Sequence, residues 1–224
     1  MTRFRPLLLC TAACLLVLSK CSASLWQKRA LASAAMNTLS TLLADKPWGK
    51  DEGLYLYRLK ASRGLVVQFY ARLTGSGRVT RAILSQADRY DIDLPLAFSL
   101  AWAESGFQVG TVNDNGGSID RGLFQLNTNS FPFLKEKDFF APEINARYGL
   151  AHLRFCLEET KNEVVALAMY NAGKRCLSKG TPLSTLHHIG RAMEYKEKLK
   201  ESFRQVLQDP LKLAALFTVS EEDS

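Results

Sequence analysis

Apolar side chains recur every three to four positions over long stretches of this chain, with short polar breaks between. The clearest stretch is VTRAILSQADRYD. Val79, Ile83 and Ala87 fall four apart with Ala82 and Tyr90 beside them, which predicts an amphipathic helix. Asp93 then offers an N-cap, and Pro95 sits in a first turn, where its missing N–H costs little. The helix so opened, LPLAFSLAWAES from Leu94, is apolar on nearly every face. That predicts burial at the domain centre, with Gly106 as its stop. A turn-rich VNDNGGSIDRG follows. LFQLN after it has the composition of a short strand, which would turn Gln125 away from Phe124 and Leu126.

Beyond an irregular connection of prolines and aromatics, residues 143–160 predict a helix with Ile144, Tyr148, Ala151 and Phe155 on one side. Glu163 to Ala172 predict another, ended by Gly173, and Ile189 to Leu207 a last long one, ended near Asp209-Pro210. Upstream, residues 25–45 have helical composition and stop at Lys46-Pro47. LYLYRL and LVVQFYARL, within 50–77, fit short helices or short strands equally. The pattern describes a mostly α protein: a helical domain with a small irregular or β-containing insertion. Residues 1–24 form a leader, 25–80 an N-terminal helical extension without an assigned role, 81–208 the main domain and 209–224 a short tail that packs briefly and frays.

Composition adds a destination. Arg3 and Arg5 followed by the apolar LLLCTAACLLVL read as an export signal, too short to span a bilayer comfortably. Ser22-Ala23-Ser24 suits ordinary cleavage. Leu18-Ser19-Lys20-Cys21 resembles a lipobox in which lysine replaces the usual small residue, which would put a lipid and a membrane attachment on Cys21. The expected location is the periplasm, free or lipid-anchored. Losing residues 1–24 removes Arg3, Arg5 and Lys20 from the 29 basic residues, leaving 26 against 22 acidic ones and a formal charge of +4 rather than +7. Such a mild excess suits an anionic polymer and does not call for nucleic acid. Cys156 and Cys176 remain as a pair that could form a disulfide if their segments run side by side. His152 and Cys156 would share a helix face, but with only His187 and His188 to complete a set they make a poor metal site. Nothing in the sequence asks for a cofactor.

One carboxylate stands apart. In AWAESGF, Glu104 arrives at the end of the apolar helix and shares a face with Ala97, Leu100 and Ala101. Desolvation there disfavours the charged form, and a glutamic acid that keeps its proton near neutrality is what general acid catalysis requires. A helix-end glutamate turned to solvent is the plain alternative.

Three stretches, AWAESGF (101–107), RGLFQLN (121–127) and ALAMYNAGK (166–174), together resemble the soluble lytic transglycosylase catalytic domain, a family of lysozyme-like fold. The resemblance runs from roughly Leu84 to Phe203. NDNGGSIDRGLFQLN is also similar to the smaller lysozyme-like transglycosylases associated with secretion machineries, with Phe124 where methionine is often found, which brings in an envelope-spanning machine as a partner. The resemblance implies a peptidoglycan substrate and the MurNAc–GlcNAc bond as its target, with Glu104 as single acid and base. It places Ser105, Gln125, Tyr170, Asn171 and, in the last helix, Tyr195 along the sugar cleft. Trp102, in the buried helix, reads as core. A muramidase that positions water with Asp114 or Asp120 is the second enzyme reading, although both aspartates also suit a turn. A wall-binding scaffold without activity is the third. No motif decides between exo and endo cutting.

Overall fold

The computed structural model of the chain describes residues 30, 32–34, 36–44, 46 and 51–217. The leader, with its cleavage sites and Cys21, lies outside the described residues. Residues 32–34 and 36–44 are helical. Then come α1 (Glu52–Arg58), α2 (Arg63–Thr74), α3 (Gly77–Arg89) and α4 (Leu94–Ser105). A three-stranded antiparallel sheet follows, β1 (Val112–Asp114), β2 (Ile119–Arg121) and β3 (Leu126–Asn127), paired in that order. The rest is helical: α5 (Glu136–Phe139), α6 (Pro142–Thr160), α7 (Glu163–Ala172), α8 (Cys176–Lys179), α9 (Leu183–Gln208) and α10 (Pro210–Phe217). This is the mostly α architecture with a small β insertion that the sequence predicts.

The centre is α4, which buries Leu94, Leu96, Ala97, Phe98, Leu100, Ala101 and Ala103 and has α9 packed along it. The ambiguous segment 50–77 resolves into two helices, and both enter the same core. Tyr70 of α2 stacks on Phe98 of α4 at 4.0 Å, and Phe69 meets Phe203 of α9 edge-on at 4.9 Å. The described part of the tail, Pro210–Phe217, is a helix as well. Its Leu213 and Leu216 are buried, and Arg72 of α2 donates to the carbonyl of Ala215.

Capping departs from expectation at one point. Asp93 holds the N-cap position of α4 but makes no side-chain capping bond. Asp51 supplies it instead: its Oδ2 accepts from the N–H of Leu54 in α1 at 2.7 Å and from that of Leu94 in α4 at 3.2 Å. One carboxylate thus serves two helix starts, the second of them 43 residues further along the chain than Asp51 itself.

The predicted face of α6 is also corrected. Phe155 is exposed, and Ile144, Tyr148 and Ala151 are only half-buried, whereas Asn145, Ala146, Gly149, Leu150, Leu153 and Cys156 face inward. Two of these, Asn145 and Gly149, carry no hydrophobic signal. They are inside because the sheet's connecting turn lies directly on them. The last long helix begins at Leu183, not Ile189, because Thr185 binds it to the end of α7 through Asn171 Oδ1 at 2.7 Å, while Leu183 and Leu186 stay exposed and leave no apolar pattern.

Burial is the main cause that lifts the Asp51 carboxyl from the usual 3.8 to about 6, partly offset by the bond from Leu54. The folded state therefore holds a proton that the unfolded chain has released, and Asp51 lowers stability as pH rises through that window. Asp51→Asn keeps an acceptor but cannot ionise. Unfolding free energies from denaturant titrations, wild type minus variant, are expected to fall by roughly 2–3 kcal/mol between about pH 4 and pH 7.

Candidate active site

The turn joining β2 to β3, Gly122-Leu123-Phe124-Gln125, is the structural hub of the region. Gly122 has φ +79°, and a Cβ there would come within 2.0 Å of the Phe139 carbonyl and 2.4 Å of Asn145 Nδ2. Glycine is required on both counts. The fully buried Phe124 ring lies on α6 at Gly149, where a Cβ would fall 2.5 Å from it. Asn145 Oδ1 accepts from Phe124 N at 2.7 Å, and its Nδ2 donates to the carbonyls of Arg121 and Phe139. The two carbonyls at the tip are taken as well. Ser105 Oγ donates to Leu123 O at 2.8 Å, and the buried Tyr170 hydroxyl donates to Phe124 O at 2.9 Å. Gln125 ends the turn in the left-handed region, φ +47°, so its direction comes from the turn and not from strand alternation as predicted. Only Leu126 and Asn127 of the expected strand are extended.

Above this turn runs an open groove lined by Glu104 from α4, Asn113, Asp114, Asn115 and Asp120 from the sheet, Gln125, Asn171 from α7, and His188 and Arg191 from α9. Asn113, Asp120 and Asn127 are directly opposed across the three strands, so they form one row on a single face. Both oxygens of Asp120 are held, Oδ1 by Asn127 Nδ2 and Oδ2 by Asn115 Nδ2, each at 2.7 Å. Asp114 Oδ1 accepts from Gly116 N and closes the hairpin end, yet the residue also borders the groove.

Glu104 is 9% exposed. Burial pushes its carboxyl above the ordinary range, His188 beside it pulls the other way, and the charge of Asp120 adds to the rise. His188 Nε2 stands 3.3 Å from Glu104 Oε1. A buried carboxyl whose proton is held more tightly than usual therefore faces a polar groove at the C-terminal end of a helix, where the helix dipole also disfavours its anion.

Residues 81–182 match the family whose description is Transglycosylase SLT domain. The matched stretch holds Glu104, Gln125, Tyr170 and Asn171. No curated protein and no solved structure matches the chain. That match supports a lytic transglycosylase type of activity on peptidoglycan.

The residues predicted for the cleft divide into two groups. Glu104, Gln125 and Asn171 line the groove. Gln125 is heavily engaged: Oε1 accepts from Asn113 at 2.6 Å, and Nε2 donates to Gly122 O and Thr111 O. Ser105 and Tyr170 lie behind it, their hydroxyls donating to the turn, which makes them supports of the groove wall. Burial and the nearby Glu104 hold the Tyr170 phenol well above its ordinary value, so it stays protonated as a donor. Tyr195 also misses the groove and stacks on Trp102 at 4.2 Å with an 8° interplanar angle. Trp102, predicted as core, is only half-buried, and the Arg191 guanidinium lies 5.2 Å from its ring centroid. Cys156 and Cys176, which the sequence left as a possible disulfide, are both buried free thiols, with burial pushing the Cys156 thiol up to about 11. His152 Nε2 lies 3.9 Å from Cys156 Sγ, and among the described residues no cluster of three His, Cys, Asp or Glu could hold a metal ion.

Sequence reasoning missed His188, Arg191 and Asn145. The first two were within reach of pattern: counting back from Tyr195, positions 191 and 188 fall on one helical face. Asn145 carried no signal at all. Its removal strands Phe124 N and two carbonyls in the interior. Asn145→Ala is expected to lower the unfolding free energy by about 2–4 kcal/mol, read from thermal or denaturant melts, and to reduce peptidoglycan digestion because the groove floor loosens.

Proposed function

We propose that the groove cleaves the β-1,4 bond between N-acetylmuramic acid and N-acetylglucosamine, leaving a 1,6-anhydro-muramyl end, with Glu104 as its single acid and base. The carboxyl burial described above carries this reading: a glutamic acid whose proton is held more tightly than usual at the edge of an open polar groove is equipped to donate to a glycosidic oxygen. In the proposed reaction Glu104 gives its proton to that oxygen and the bond to the anomeric carbon breaks. The N-acetyl oxygen of the same sugar closes on the anomeric carbon, so no protein nucleophile is needed. Glu104, now a carboxylate, takes the proton of the muramyl 6-hydroxyl, whose oxygen displaces the N-acetyl oxygen and closes the anhydro ring. Gln125 and Asn171 stand along the wall. Asn171 Oδ1 is already taken by Thr185, so the amide nitrogen is the end with which it would meet a sugar. On this reading the protein acts outside the cytoplasm, with residues 1–24 as its export signal and Cys21 as a candidate anchor.

One observation favours a second reading. Asp120 faces the groove from the middle of the sheet, both oxygens fixed by asparagine amides, and its charge is felt at Glu104. A fixed carboxylate opposite the acid can hold an attacking water, and hydrolysis would then leave a reducing end. Mass analysis of muropeptides released from purified peptidoglycan separates the two. Anhydro ends, one water lighter than reducing ends, are expected, and reducing ends would move the assignment to hydrolysis through Asp120. Glu104→Gln is expected to lose about 10²- to 10⁴-fold in initial rate while keeping its melting temperature.

A further inference from the structure

His188 is placed where a spectator would not be. It sits on α9 one turn after Thr185 and one turn before Ala192, both buried, so it points inward from the start of that helix. Thr185 locks this turn to Asn171 at the end of α7. The His188 side chain is 15% exposed, and its Nε2 is inaccessible to solvent. Among the described residues no well-formed hydrogen bond satisfies that nitrogen, and the polar atom it faces is Glu104 Oε1 at 3.3 Å. A ring nitrogen left unmatched in the interior is costly unless a partner takes it up at some stage of function.

We propose that His188 is the positioning residue of Glu104, carrying its proton on Nε2 and donating to Oε1, so that Oε2 alone exchanges protons with the sugar. This rests on Glu104 being the acid and base.

The bond fits each stage of that chemistry. Before the reaction Glu104 is a carboxylic acid whose carbonyl oxygen, Oε1, can accept from Nε2–H while Oε2 carries the proton. After Oε2 protonates the leaving oxygen, the same Nε2–H donates to a carboxylate. A hydrogen bond to an ionised acceptor is roughly twice as strong as a neutral one. The interaction therefore tightens as the carboxylate forms and relaxes when the 6-hydroxyl proton returns to Oε2. His188 neither gains nor loses a proton in the cycle. It opposes burial, which alone would make the carboxylate too poor a leaving state for the proton.

An ordinary buried ion pair explains the geometry less well. Imidazolium beside carboxylate would desolvate two charges for one 3.3 Å contact and would strip Glu104 of the proton it must deliver. The charged and titratable groups around the pair come from every side: Asp114 and Asp120 from the sheet and Arg191 one turn further along α9 line the same groove, and Tyr170 comes from α7. Asp120 favours the protonated acid, as its effect on Glu104 shows. Tyr170 is neutral and spent on Phe124 O. Arg191 leans over Trp102.

The test compares the full chain as wild type, His188→Ala, His188→Gln and Glu104→Gln, each shown to be folded by its melting temperature. Initial release of muropeptides from purified peptidoglycan is followed against pH. Glutamine carries an amide N–H close to the place of Nε2–H and cannot become a cation. His188→Ala is expected to lose about 10- to 100-fold in maximal rate, the kinetic equivalent of one hydrogen bond to a charged group. Its alkaline limb should move to higher pH, since Glu104 then lacks the donor that favours its anion. His188→Gln should restore most of the rate and return the alkaline limb toward the wild-type position. A folded His188→Ala with wild-type rate and profile overturns the inference, as does a His188→Gln no better than alanine in both rate and limb. Full activity in Glu104→Gln would instead sink the assignment of the acid on which the inference stands.

Discussion

The four-residue turn from Gly122 to Gln125 is the constraint from which the site follows. It crosses the interior, where each backbone amide and carbonyl needs a partner, and the partners come from three helices. Ser105 reaches it from α4, Asn145 from α6 and Tyr170 from α7. Steric fit reinforces the polar bonds, because Gly122 and Gly149 let backbone approach where any side chain would collide. These contacts set the distance between the sheet and the end of α4, and hence the width of the space into which Glu104 looks.

Electrostatics then act on that frame. A lone carboxyl in an apolar helix end would be wholly neutral and slow to part with a proton, while one open to water would be wholly ionised. Glu104 lies between, with burial and Asp120 favouring the acid and His188 favouring the anion. The opposing effects come from different elements, α4, β2 and α9, so the balance depends on tertiary structure as a whole. Arg191, spread over Trp102 and backed by Tyr195 stacked on the same ring, gives the far wall a positive charge that offsets the aspartates of the sheet.

Much of this was legible before any coordinates. Helix α3 covers the stretch its periodicity marks, α4 and α7 end at Gly106 and Gly173 as read from the sequence, and Glu104 announced itself as a carboxylate in the wrong company. What escaped detection did so for physical reasons. The inward face of α6 is built on Asn145 and Gly149, one polar and one featureless, so a search for apolar periodicity settles on the flank that carries Phe155 instead. Gln125 adopts a left-handed backbone that its residue type does not signal. Ser105 and Tyr170 were placed along the sugar cleft by the family resemblance. Their hydroxyls are consumed by carbonyls of the turn, a partnership between residues 18 and 46 positions apart that local pattern cannot reveal.

Helix α9 begins at Leu183, immediately after the stretch that matches the SLT family ends at residue 182. Yet α9 lies along α4, contributes His188 and Arg191 to the groove, and carries Phe203 into the aromatic cluster with Tyr70. The unit of kinship and the unit of folding are therefore different lengths of polypeptide. A fragment cut to the borders of sequence similarity would keep the acid but lose one bank of its channel and the lid over its hydrophobic centre. What descends together here is shorter than what must stand together.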